Sequence, residues 1–374
     1  MKRVIAAMAA CASAVVLAFA LCACGSQTSS MKDDSAATYS SGSIVKCDDM
    51  LYYAGFSYIP STKAEIEGAT KIPVETSNFL VYDNKAYYST SPNGTSGDSP
   101  VEIHVCALDG SDDKTLVSDA TPDETMYVVD GYLVYQHLTA LDENGSANGE
   151  DIGWTNDSCY WAKLDLGKDG AEPAPLNDEK NIQVVAASAD AIFYAKTDYG
   201  EATTKNLYKA GIDLSNETTV HEGSVSIDDC AVDTDGNLLV AGKNGSTVTT
   251  YDKDLNQLAV FDTGVDFESD TSSSLVVASY GVYVCTPENT VIYFDVSSGK
   301  HTDKKLTKDA SYYISLQYAD ADQAFYLTDC EGSSDEASSS SSGEDAEAAA
   351  ANTALYLQKW DESKAIECGK WFMS

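Results

Sequence analysis

The chain has 374 residues, 59 of them Asp or Glu against 23 Lys or Arg, and a formal charge of −36. Arg3 is the only arginine, so no basic stripe exists to release counterions, and nucleic-acid binding is excluded. Bidentate arginine clamps on phosphate or carboxylate are excluded with it.

The first elements form an address rather than a fold. Lys2 and Arg3 precede an uncharged run of small and apolar residues from Val4 to Ala23, the pattern of a secretory signal peptide. The run ends in Leu21-Cys22-Ala23-Cys24-Gly25, which resembles the lipobox of bacterial lipoproteins. That resemblance implies cleavage after residue 23, lipidation of Cys24, and a mature chain held to the cell membrane on its extracytoplasmic side by acyl chains. Without Lys2 and Arg3, the only charged residues before Cys24, the charge of −36 becomes −38. Acidity of this degree reads as a solvated surface that keeps an exported protein soluble. Residues 24–43 are rich in Ser, Thr, Ala and Asp with almost nothing to bury, and read as a flexible tether.

From residue 44 onward the chain repeats. Short apolar and aromatic blocks begin at Leu51, Ala86, Leu133, Ile192, Leu238, Val282 and Ala324, spaced by 35, 47, 59, 46, 44 and 42 residues. Each follows an extended segment and a tight acidic or glycine turn. A second landmark is an apolar residue followed by Asp, at Leu108-Asp109, Leu164-Asp165, Ile212-Asp213, Tyr251-Asp252, Phe294-Asp295 and Trp360-Asp361. Asp can bond backbone amides two residues on and so favours reversal at those points. Each unit then reads as four antiparallel strands, a to d, and recurrence at about 40–50 residues is the spacing of propeller blades. The predicted fold is all-β: a β-propeller over 44–374 with seven four-stranded blades, or six plus an N-terminal hairpin. The first unit, about 44–76, lacks the Asp landmark, as terminal repeats often do. The pattern resembles the broad group of bacterial exported lipoproteins with TolB-like or low-density-lipoprotein-receptor-like β-propellers. The receptor-type tetrapeptide Tyr-Trp-Thr-Asp is absent, so that family's partners do not carry over.

Seven cysteines follow Cys24. Cys106 and Cys285 align with small residues of other units and read as packing positions. Cys47, Cys159, Cys230, Cys330 and Cys368 are the disulfide candidates of an exported chain, with pairing left open. No CxxC or Cys/His cluster points to zinc. Asp233-Thr234-Asp235-Gly236-Asn237 has the start of a calcium loop, but Asn244 stands where the bidentate Glu belongs, and a hairpin turn accounts for it. No metal and no cofactor is expected.

Insertions gather in the b–c loops: about 90–100, 137–157, 196–205 and 329–352. Loops on a rigid scaffold are the usual seat of binding. The segment 331–352 is low-complexity Ser, Glu, Asp and Ala. The third unit's loop carries His137, Asp142, Glu143, Glu150, Asp151 and Trp154, with Tyr160 and Trp161 in the next strand. Aromatic rings beside carboxylates suit a sugar face or a cation. No HExxH, GxSxG or P-loop pattern occurs, and the four histidines fall in four units. The favoured expectation is therefore a non-catalytic, lipid-anchored module that binds or scaffolds a protein or glycan at the cell envelope. The alternative is a secreted carbohydrate-active hydrolase or lyase working at the propeller axis. Replacing Cys24 by Ser is expected to abolish metabolic labelling with palmitate and to release the protein from the membrane fraction. Unchanged labelling would remove the anchor from the reading.

Overall fold

Runs of β-branched and aromatic residues closed by turn residues become strands here, because pairing and burial on both faces suit them. The computed structural model describes residues 44–371 apart from 48–49, 56–68, 77, 91–99, 122–125, 139–158, 178–181, 197–205, 222–224, 233–234, 243–246, 263–273, 279–280, 286–289, 296–297, 308–314, 320–321 and 330–352. Every regular element among the described residues is a strand. Cys24, the tether, Cys330 and the 331–352 insertion lie outside them.

The first sheet holds β1 (Ile44–Cys47), β2 (Met50–Gly55) and β3 (Ala69–Glu75). Four antiparallel strands were expected in every unit, yet here β2 and β3 run parallel and a fourth strand is missing among the described residues. Residues 56–68 supply the dozen or so residues that a parallel crossover requires. Pro73 lies on β3, an edge strand, where a missing amide donor is tolerated.

The next eight strands share one sheet. They are β4 (Phe79–Tyr82), β5 (Lys85–Thr90), β6 (Val101–Ala107), β7 (Lys114–Ala120), β8 (Tyr127–Val129), β9 (Tyr132–Leu138), β10 (Cys159–Asp165) and β11 (Ala174–Pro175). Two four-stranded sets, β4–β7 and β8–β11, are joined where Ala120 of β7 pairs with His137 of β9. Four four-stranded sheets follow, each with its strands in chain order. They comprise β12 (Ile182–Ala187), β13 (Ile192–Lys196), β14 (Leu207–Ala210) and β15 (Thr218–His221); then β16 (Val225–Val232), β17 (Leu238–Gly242), β18 (Thr247–Tyr251) and β19 (Gln257–Asp262). After them come β20 (Ser274–Ala278), β21 (Gly281–Cys285), β22 (Thr290–Asp295) and β23 (Lys300–Lys305), and finally β24 (Ser315–Ala319), β25 (Gln323–Asp329), β26 (Thr353–Lys359) and β27 (Ile366–Trp371). The result is a propeller-like all-β fold of several open sheets.

The sheets meet face to face. Val45, Ala54 and Ile72 pack on Phe79, Val81, Ala86 and Tyr88, while Ile44, Leu51 and Tyr53 pack on Tyr318, Phe325, Leu355 and Leu357 of the last sheet. Successive side chains of a strand point to opposite faces. In β13, Ile192 and Tyr194 therefore join β8–β11, whereas Phe193 joins β16–β19. All three are fully buried, each contributing roughly 1.5–3 kcal/mol of apolar transfer. Cys106 is buried in the same manner, and burial pushes its thiol up, followed by Asp113 and Asp109. It is a packing residue rather than a reactive one.

The turns follow the chemistry of their residues. Asp83-Asn84 and Asp130-Gly131 all have positive φ, as a two-residue hairpin turn requires. At the second landmark, Asp109 Oδ1 accepts the Ser111 amide at 2.9 Å, Asp165 Oδ1 that of Gly167 at 2.9 Å, Asp213 Oδ1 that of Ser215 at 3.1 Å and Asp252 Oδ1 that of Asn256 at 2.8 Å. Hydrogen bonds from Ser111, Ser215 and Asn256 hold the carboxyls of Asp109, Asp213 and Asp252 below their ordinary range.

Gly110 has φ +78°, and a Cβ there would lie 2.5 Å from Cγ of Pro73 on the neighbouring sheet. Gly170 has φ +66° with open space around it. Gly170→Ala is thus expected to carry only the left-handed backbone cost, about 1 kcal/mol. Gly110→Ala adds a clash between sheets and should cost about 1–3 kcal/mol more in urea denaturation. Equal losses in the two variants would show that the close approach contributes nothing.

Candidate active site

Tyrosine at the third position of five of the seven b-strand blocks is first a scaffold residue. Tyr88 donates from its hydroxyl to Asp113 at 2.8 Å, and Tyr194 does the same to Glu217. Tyr194 stacks on Tyr208 and Tyr326 on Tyr356, with ring centroids 5.7 and 5.8 Å apart. Tyr135 departs from this arrangement. Its hydroxyl lies 3.3 Å from Nδ1 of His137, two residues along the same face of β9.

The departure follows from the joint between β7 and β9. Pairing Ala120 with His137 brings Asp119 to the imidazole, with Oδ1 3.1 Å from Nδ1. In β10, Tyr160 stands directly opposite His137, with ring centroids 4.9 Å apart. His137 is 14% exposed and sits next to last in β9, where residues 139–158 depart. A carboxylate is acceptor-only, so the tautomer that bonds Asp119 carries its proton on Nδ1, and toward that N–H the Tyr135 hydroxyl is an acceptor. In the neutral ring this leaves the Nε2 lone pair available, and Nε2 has no partner among the described residues. A base oriented through its other nitrogen by a carboxylate is a general-base arrangement. Burial, then Asp119 and Tyr160, pushes the Tyr135 hydroxyl far above its ordinary range. Burial and then Asp119 raise Tyr160. Both therefore remain protonated, and their O–H protons are free to be donated elsewhere.

His104 provides the contrast. Its Nδ1 lies 3.3 Å from Asp113 Oδ1 and its Nε2 3.0 Å from Glu102 Oε2, beneath the ring of Tyr88. Both nitrogens are engaged, so this cluster clasps β5, β6 and the turn before β7 and leaves no open base.

Among the residues singled out from sequence, His137 is in the site. Trp161 is not: strand alternation turns it to the opposite face, where it is 4% exposed and packs near Tyr127 at 6.2 Å. Asp142, Glu143, Glu150, Asp151 and Trp154 lie outside the described residues. Asp119 escaped the sequence reading because it belongs to the preceding unit's last strand and is one acid among 59.

No family model matches the sequence, and no curated protein matches it. Among solved structures, the chain is similar to the acylaminoacyl peptidase of Pyrococcus horikoshii at 13% identity and a TM-score of 0.44, over 78% of this chain and 46% of that one. It is also similar to an oligogalacturonate lyase from Vibrio parahaemolyticus, at 8% identity and a TM-score of 0.45, over 77% of this chain and 75% of the lyase. A prolyl oligopeptidase B from Galerina marginata gives 11% and 0.46, over 77% and 41%. The chain spans less than half the length of the two peptidases. These neighbours are hydrolases and a lyase, and in that they run against the expectation of a non-catalytic binding or scaffolding module. The likeness is one of fold, and no residue's role passes from them to this chain.

The tautomer can be observed directly. Nitrogen-15 NMR of the histidines at pH 8 should find the His137 proton on Nδ1, and Asp119→Leu should move it to Nε2. A wild-type ring already protonated at Nε2 would dismantle the proposed orientation.

Proposed function

We propose that the protein is a lipid-anchored extracytoplasmic enzyme, a carbohydrate-active hydrolase or lyase, with His137 as general base. The observation that carries this reading is the open Nε2 of a histidine whose Nδ1 is held by Asp119. His137 takes a proton from water or substrate, while Tyr135 and Tyr160 donate to the charge that develops. The partly buried Tyr160 ring offers a flat surface of the kind that stacks on a sugar. The site lies on the b–c loop side, where β7 of one strand set meets β9 of the next.

Charge favours hydrolysis over elimination. Removing a proton beside a sugar carboxylate needs a cation to neutralise that carboxylate, and the group nearest His137 is instead Asp119. A chain of −36 also repels polyanions. Neutral or amino-bearing glycans of the cell envelope are the substrates this reading selects.

The same proposal includes the finer architecture and address. Counting the two halves of the eight-stranded sheet separately, we take seven blades, closed by packing of the first sheet on the last. Cys24 is the lipidated first residue of the mature chain, and the body is of the TolB-like lipoprotein type.

The test is a product assay on a panel of neutral and amino-sugar oligosaccharides and their acylated forms. Cleavage of at least one member is expected, with His137→Gln lowering kcat by about 10²–10⁴-fold at unchanged thermal stability. Full activity in His137→Gln would sink the assignment, as would a panel left entirely intact.

A further inference from the structure

A second cavity, of about 680 Å³, opens between β4–β7 and β8–β11 on the side opposite His137, where the a–b and c–d turns lie. This size falls within the range of about 300–1,000 Å³ that small-molecule sites occupy. Charges of both signs line it: Lys85, Lys114 and Lys168 with Asp112 and Asp169. Asp113 and Asp165 line it too, but Asp113 is taken by Tyr88 and His104, and Asp165 by the Gly167 amide. None of the three lysines forms an ion pair among the described residues, and neither does Asp112 or Asp169. In a chain with 59 acids, three unpaired lysines around one cavity are unexpected. Opposite charges that share a cavity without touching leave room for something that carries both.

Two further features point to an occupant. Leu116, Leu164 and Leu166 form an apolar part of the wall. Tyr87 also lines the cavity; it is 3% exposed, yet its hydroxyl makes no hydrogen bond among the described residues. The ring is held in the core while the hydroxyl opens on the cavity, where it is placed to bond a ligand atom. Burial, then Asp83 and Tyr82, pushes this phenol up to about 12, so it remains a donor.

We infer that the cavity binds a small zwitterion with an apolar body, of the amino-acid or short-peptide class. Its carboxylate faces the lysines, its ammonium faces Asp112 and Asp169, and its side chain lies on the leucines. A carbonyl or carboxylate oxygen accepts from Tyr87. The inference does not depend on catalysis at His137, because it uses none of that site's residues.

Isothermal titration of the full chain with leucine and with Leu-Leu is the experiment. Saturable binding of at least one is expected. N-acetylation or C-terminal amidation of that ligand should each weaken it by about tenfold, since each leaves charges at the exposed rim of the cavity unanswered. Tyr87→Phe keeps the ring and should weaken binding by about three- to tenfold without lowering Tm. Lys114→Gln combined with Lys168→Gln should weaken the free ligand more than the amidated one. Absence of binding by both ligands overturns the inference. So does equal affinity for free, acetylated and amidated forms, or Tyr87→Phe and the double lysine variant binding as the parent does.

Discussion

Burial of inner strands on both faces is the constraint from which most of this structure follows. A strand between two neighbouring sheets has no solvent side, so consecutive residues such as Ile192, Phe193 and Tyr194 are all fully buried. Polar alternation, the mark of a half-exposed sheet, disappears from the b strands. Sheets that approach so closely need small residues between them, and Ala86, Ala162, Ala210 and Ala354 occupy such places. The same demand explains the second glycine contact of this kind: a Cβ at Gly299 would lie 2.6 Å from Cβ of Ala259 on the preceding sheet.

This constraint also decides where chemistry can occur. Buried polar groups that go unsatisfied destabilise the fold, and the Tyr88 hydroxyl is tied down in this way to Asp113. Reactive freedom remains only where strands end or where two sheets meet imperfectly. The joint between β7 and β9 is such a place, because a single paired position brings a carboxylate from one strand set to an imidazole of the next. His104, deeper along β6 and clasped by Glu102 and Asp113, shows what becomes of a histidine that is used for cohesion.

The scaffold was legible in the sequence because burial and turn chemistry are local. Each apolar block became a b strand, and Asp109, Asp165, Asp213 and Asp252 each bond the amides just ahead of them. The site was legible only in part. His137 stood out as a histidine at the edge of a long insertion, but its partner Asp119 is 18 positions earlier in a different strand set. Nothing in the spacing couples them, since sheet-to-sheet contact has no period along the chain. The parallel β3 was hidden as well: Ala69 to Glu75 reads as a weak strand, and its direction shows only in its pairing with β2. Trp161 was misplaced by one residue of alternation, since its neighbour Tyr160 is the one facing the histidine.

The packing of the first sheet on the last has a consequence for how the molecule is made. Ile44, Leu51 and Tyr53 find their partners only when Phe325, Leu355 and Leu357 have been synthesised. Ile44 and Leu357 are 313 positions apart, which at about 5–20 residues per second is roughly 15–60 s of translation. For that interval one face of the earliest sheet is apolar and uncovered. A nascent chain in this state invites association with its own copies, so the supply of a chaperone would govern yield more than the stability of the finished fold.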